Sequence, residues 1–216
     1  MKTKSILLLV VSALVGLSLG YFGLSLPKLG YTFHGSLIEP PIPAIDFSLL
    51  DQDGQTFTLS EQRGKVVLLF FGYTSCPDVC PATLGKYKQI AQQLGEQAEQ
   101  VRFVMVTTNP ERDTTAQLAT YLGEFNPAFI GLRGPEEILQ IVYQSYWVSV
   151  EKETEDDEIP GDDETPGYDT SGYTVAHASQ VYLIDPAGNL RLFYWPEIGA
   201  EAMAQDIGYL LKTADP

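Results

Sequence analysis

"KVVLLFFGYTSCPDVCPATL", residues 65–84, passes from a run of β-branched, leucine and aromatic residues, through a turn that holds both cysteines of the chain, into a segment opened by Pro81. A run with no polar alternation is the pattern of a strand buried on both faces. Beyond Pro81 the period changes, and Leu84, Tyr87, Ile90, Ala91 and Leu94 fall on one helical face until Gly95. Cys76 and Cys80 therefore sit where a buried strand gives way to a helix. Proline disfavours an α conformation at the residue before it and is favoured at the first helical position, which predicts Cys80 at the helix cap and Cys76 to Val79 as the turn before it. Backbone N–H groups and the macrodipole at a helix start favour thiolate over thiol.

The same strand–helix alternation extends in both directions. "DFSLLDQDGQTFTL", residues 46–59, alternates around Asp53-Gly54 and reads as a hairpin ahead of the buried strand. "VRFVMVTT" reads as the next buried strand, "TTAQLATYLGEF" as a helix and "FIGLRG" as a short strand. "PEEILQIVYQSY" begins with proline and two acids, which suits a helix N-terminus. "SQVYLID" and "NLRLFYW" flank the turn "PAGN" as a second hairpin, and "GAEAMAQDIGYLLKT" makes the last helix. Strands and helices in this order predict an α/β domain with a mixed central sheet flanked by helices and an N-terminal hairpin extension.

Three segments lie outside that pattern. Lys2 and Lys4 precede an uncharged apolar run from Ser5 to Pro27, long enough to span a bilayer with the N-terminus in the cytoplasm and the rest of the chain exported. The competing reading is a cleaved signal peptide, because "SLG" before Tyr21 resembles a small-residue cleavage site. Residues 28–45, rich in Gly and Pro, read as a tether, and residues 46–216 as the folded domain. Residues 151–170, "EKETEDDEIPGDDETPGYDT", read as a solvated acidic loop within it. A formal net charge of −15 and a pI near 4.3 argue against a nucleic-acid partner.

A domain of roughly 190 residues buries enough surface to fold without staples, and a bridge across the three residues between Cys76 and Cys80 would restrict the unfolded chain little. The cysteine pair therefore reads as chemistry. A thioredoxin-like dithiol would have two intervening residues rather than three, and a thiol peroxidase a Thr where this chain has Tyr73. A soft-metal site needs a third donor beside the two thiolates. The chain has two histidines: His34 lies in the tether, and His177 stands in "SGYTVAHASQVYLID", just before a predicted strand.

"FFGYTSCPDVCPATL", "NPERDT" and "GYTVAHASQVYLIDPAGNLR" together resemble the SCO/SenC family of membrane-anchored copper chaperones, over about residues 40 to 214. The Cys-Pro-Asp-x-Cys-Pro turn paired with a downstream His is the most specific part of the match. The resemblance implies a thioredoxin-like fold and one copper ion, Cu(I) or Cu(II), held by Cys76, Cys80 and His177. It also implies a single-pass protein of the cell (inner) membrane, with its soluble domain on the extracytoplasmic, periplasmic side. Its partners would be a copper donor protein and cytochrome c oxidase subunit II, whose binuclear copper site it would help to assemble. The alternative is a thiol-disulfide reductase acting on the cysteines of subunit II, or a redox sensor, with Cys76 and Cys80 as a redox-active disulfide. This chain departs from the family pattern at Ala176 and Ala178, which flank the ligand His, and at Asn109, where the family commonly has Asp. With no acid or hydroxyl beside His177, a hydrogen-bond partner for its imidazole is expected from elsewhere, with Asn109 and Asp113 as candidates. Asp78, inside the turn, reads either as an acid near the metal or as a turn cap.

Overall fold

Val66–Gly72 forms strand β4, and every residue of it is buried. The structure, a computed structural model, describes residues 31–150 and 179–213. Successive side chains of a strand point to opposite faces, so Val66, Leu68 and Phe70 enter one core while Val67, Leu69 and Phe71 enter another. That division accounts for the unbroken apolar run: neither face of β4 meets water.

Around β4 lies a six-stranded sheet in the order β1-β8-β7-β4-β5-β6. It comprises β1 (Ser36–Pro43), β4, β5 (Val101–Thr107), β6 (Ile130–Leu132), β7 (Val181–Ile184) and β8 (Asn189–Tyr194). β4, β5 and β6 run parallel, whereas β7 is antiparallel to β4, β8 to β7 and β1 to β8. The expected mixed sheet is therefore present, and β2 (Ser48–Leu50) and β3 (Thr56–Thr58) form the expected hairpin as a separate two-stranded sheet.

Helices α1 (Val79–Leu94) and α4 (Ala200–Thr213) cover the first face, where Leu84, Tyr87 and Ile90 pack with Met203, Ala204 and Ile207. Leu118 and Leu122 of α2 (Thr115–Gly123) join the same core. The second face is closed by Phe47, Leu49 and Phe57 of the hairpin region and by Leu139, Val142 and Tyr143 of α3 (Glu136–Ser145). A capping box between Thr114 and Gln117 starts α2.

Two boundaries differ from the expectation. Helix α1 starts at Val79 with Asp78 as its N-cap, so Pro81 lies in the third helical position and Cys80 inside the first turn. No hydrogen bond is lost, because the first N–H groups of a helix have no intrahelical acceptor. The segment expected to be a tether contributes β1 to the sheet edge, with Ser36 opposite Phe193 and Ile42 opposite Leu190. Prolines 40, 41 and 43 give it the appearance of a linker, yet an edge strand tolerates proline because one row of its N–H groups faces away from the ladder. The apolar segment 1–27, the acidic segment 151–170 and His177 lie outside the described residues. Among the described residues no helix is long and apolar enough to cross a membrane.

Candidate metal centre

The sheet itself positions the cysteine turn. Gly72, the last residue of β4, accepts a hydrogen bond from the Thr108 amide at 2.8 Å, and the chain then folds back so that the Cys76 amide donates to the Tyr73 carbonyl at 3.3 Å. The Ala82 amide donates to the Asp78 carbonyl at 3.1 Å and closes the first turn of α1. Neither Cys76 nor Cys80 is in a disulfide; they are 7% and 2% exposed, and both pack against the core beneath α1. A methyl group at Gly72 would stand 2.5 Å from the Cys80 sulfur. Only glycine leaves room there for the sulfur.

Asp113, from "NPERDT", is completely buried and braces this turn from the neighbouring loop. Its carboxylate accepts from the Thr74 hydroxyl and the Thr107 hydroxyl at 2.5 Å each, and from the Thr74 amide at 3.2 Å. Arg133 fastens the same loop by donating to the Asp113 and Pro110 carbonyls, both at 3.0 Å. Asn109 has its carbonyl occupied by the Arg112 and Asp113 amides, while neither end of its fully buried side-chain amide has a partner among the described residues. Of the two candidates for holding an imidazole, Asp113 is thus engaged with threonines and Asn109 keeps its amide unspent. Asp78 is exposed and makes no side-chain capping bond.

The Cys80 thiol is not held as the helix position alone predicts. Cys80 is pushed well above the usual thiol range, first by its hydrogen bond with Cys76, then by burial and by the charge of Cys76; a backbone hydrogen bond from Tyr73 opposes the shift. Two sulfurs in contact favour retaining a proton between them, and at this depth that outweighs a helix terminus carrying about half a charge. His34 is committed elsewhere: its Nδ1 lies 2.9 Å from Asp206. Among the described residues no three His, Cys, Asp or Glu side chains cluster as a metal site. The structure therefore brings together Cys76, Cys80 and the loop of Asn109 and Asp113, while His177 lies outside what it describes. Sequence reading missed Gly72, Thr74 and Thr107; the glycine that closes a buried strand beside a cysteine was the available signal.

Residues 38–212 match the protein family described as SCO1/SenC. The chain belongs to that family. An SCO2-like protein of Rickettsia felis is 34% identical over 201 residues, covering 91% of this chain and 93% of its own length. The structure of Bradyrhizobium japonicum ScoI with copper bound superimposes with a TM-score of 0.65 at 32% identity, over 78% of this chain and 99% of that one. A thioredoxin family protein of Chlorobium tepidum, a thiol:disulfide interchange protein, shares the architecture alone, with a TM-score of 0.54 at 17% identity over 81% of this chain and 99% of its own. The fold of this SCO1/SenC protein is thioredoxin-like.

Proposed function

We propose that this SCO1/SenC protein is a membrane-anchored, extracytoplasmic copper chaperone that holds one copper ion through Cys76, Cys80 and His177. We assign residues 1–27 as the anchor, and we infer that the cargo is delivered during assembly of the binuclear copper site of cytochrome c oxidase subunit II. The observation that carries the reading is the pair of buried, unbridged thiols in one turn, with the Cys80 sulfur filling a space that a methyl at Gly72 would occupy. Two thiolates and one imidazole suit copper rather than a hard cation, and copper is bound in the related ScoI structure. Copper entering such a site displaces the thiol protons to solvent. A site of so few ligands passes its cargo by exchange, as donors of the acceptor replace the cysteines and the histidine one at a time.

Copper stoichiometry of the reduced protein tests this reading. One copper per chain is expected for the wild type, with tight binding lost in Cys76→Ser, Cys80→Ser and His177→Ala; wild-type affinity in any of the three removes that residue from the ligand set. The hydrogen bond between Cys76 and Cys80 supports a second reading, a thiol-disulfide reductase acting on the cysteines of subunit II, because it places the sulfurs next to one another. A protein that takes up no copper but reduces a disulfide-bonded subunit II domain would establish that alternative.

A further inference from the structure

Helix α3 turns two isoleucines outward. Leu139, Val142 and Tyr143 bury one face of it, while Ile138 and Ile141, three residues apart and so neighbours on the helix surface, stay exposed, Ile141 to 60%. Ile45 is exposed as well, and its carbonyl is held by the Tyr146 hydroxyl at 3.2 Å. These three isoleucines border a groove of about 190 Å³ that is also lined by the buried side chains of Phe47, Val142 and Tyr146. An apolar cavity of roughly 150 Å³ takes up a benzene molecule, so this one has room for a leucine or an aromatic side chain. Single apolar side chains on a surface need no explanation, but three around one hollow do.

Trp147 supplies a second observation. Its amide donates to the Gln144 carbonyl at 3.2 Å and the Val148 amide donates to the Tyr143 carbonyl at 2.8 Å, the two bonds that end a helix in a Schellman turn. Trp147 takes the left-handed position of that turn, with φ 54°, where glycine is usual. A bulky residue is strained there, and this one is 69% exposed, so burial does little to offset the strain. The chain accepts a cost to present an indole to solvent directly after Ser145 and Tyr146, which line the groove.

Charge selects the occupant. Asp46 lines the groove, Glu137 lies one helical turn before Ile141, and residues 45–62 and 136–150 include no Lys or Arg. The acidic run 151–170 follows in the sequence, with Lys152 its only base. A second copy seated on this face would set acid against acid, and an anionic lipid surface would be repelled. A basic protein segment is attracted.

Going beyond the copper reading, we propose that this groove docks a partner protein through one large apolar side chain flanked by lysine or arginine, with the Trp147 indole as a second anchor. Because α3 follows β6 and β6 runs parallel to β5 and β4, the first turn of α3 stands at the end of the sheet that carries the cysteine turn. The partner is thereby held on the flank of that end.

The test uses the full chain, reduced and copper-free in a neutral detergent, and a short fluorescein-labelled peptide in which leucine and phenylalanine are flanked by lysines. Fluorescence anisotropy reads the affinity after the signal in detergent alone is subtracted. Ile138→Ser combined with Ile141→Ser, at positions exposed enough for the fold to tolerate, should weaken binding about tenfold, and Trp147→Gly about fivefold. Trp147→Gly should leave the thermal unfolding midpoint no lower, since glycine suits the turn, which separates a docking role from a structural one. A peptide with glutamates in place of the lysines should not bind. Wild-type affinity in either variant, or equal binding of the glutamate peptide, overturns the proposal. So does a concentration-dependent dimer that the paired serines abolish, which would put a second copy in the groove. Copper is absent throughout, so the outcome is independent of the copper reading.

Discussion

Asp113 and Asp206 are both completely buried carboxylates that accept hydrogen bonds from backbone amides and hydroxyls, at two different places in one fold. Asp206, on α4, takes the amides of His34 and Gly35, both at 3.0 Å, the His34 ring and the Tyr194 hydroxyl, and so fastens the chain where it enters β1. Asp113 takes two threonine hydroxyls and the Thr74 amide, and so fastens the turn that carries the cysteines. Around Asp206 the partners are all made. Around Asp113 the neighbours Thr108 and Asn109 keep buried polar atoms with no partner among the described residues. The clamp at Asp206 is saturated, whereas the neighbourhood of the cysteine turn leaves hydrogen-bonding capacity unused, at a cost to stability.

Removing each carboxylate breaks the comparison most directly. Asp206→Ala strands the donors at His34 and Gly35 and should cost about 3–5 kcal/mol in urea unfolding while leaving copper stoichiometry and affinity at wild-type values. Asp113→Asn should cost less, about 2 kcal/mol, yet weaken copper binding by roughly 10–100-fold. Equal copper affinities in the two variants would erase the distinction between clamp and brace. Gly72→Ala probes the site end without touching a hydrogen bond. The added methyl meets the Cys80 sulfur at 2.5 Å and the Phe70 ring at 2.6 Å, so a loss of about 1–3 kcal/mol is expected, with copper binding impaired because the sulfur has to move. Normal copper affinity in this variant would show that the close fit is irrelevant to the cargo.

A pH series sharpens the same contrast. The Cys80 thiol is held above its ordinary value of 9.0 in the folded, reduced state. The folded chain then retains a proton that the unfolded chain releases, so this contribution to stability is complete below pH 9 and declines as pH rises beyond it. The slope should approach about 1.4 kcal/mol per pH unit, and Cys80→Ser should flatten it; identical slopes would contradict the buried, proton-retaining pair. The smallest effect belongs to His34→Ala. Its side chain is 41% exposed and the backbone amide keeps its bond to Asp206, so thermal unfolding should register only about 0.5 kcal/mol.

What the sequence disclosed follows the range of the forces involved. β4, α1, the β2–β3 hairpin and the β7–β8 hairpin were legible because each writes its period and its turn residues into consecutive positions. β1 was not, because its partner β8 lies about 150 residues away, with Leu37 opposite Leu192, and its prolines suit an edge as well as a linker. The two-cysteine turn was legible as a strand-to-helix junction. Its ionisation was not, since burial of Cys80 and contact with Cys76 oppose the helix terminus and neither is visible along the chain. Asp113 stands out in the sequence, within "NPERDT", as a candidate partner for an imidazole, but its bracing of the cysteine turn was not legible, because its partner Thr74 lies 39 residues away along the chain.

The placement of β1 has a mechanical side. In the order β1-β8-β7-β4 two strands separate the entering strand from the one that ends at the cysteine turn. A pull applied through the chain before residue 33 is met first by the hydrogen bonds from His34 and Gly35 to Asp206, and next by the β1–β8 ladder. That load is taken up at the rim of the sheet, two strands away from the strand that carries the sulfurs, so a force entering there is spent on the edge before it can alter the spacing of the thiols.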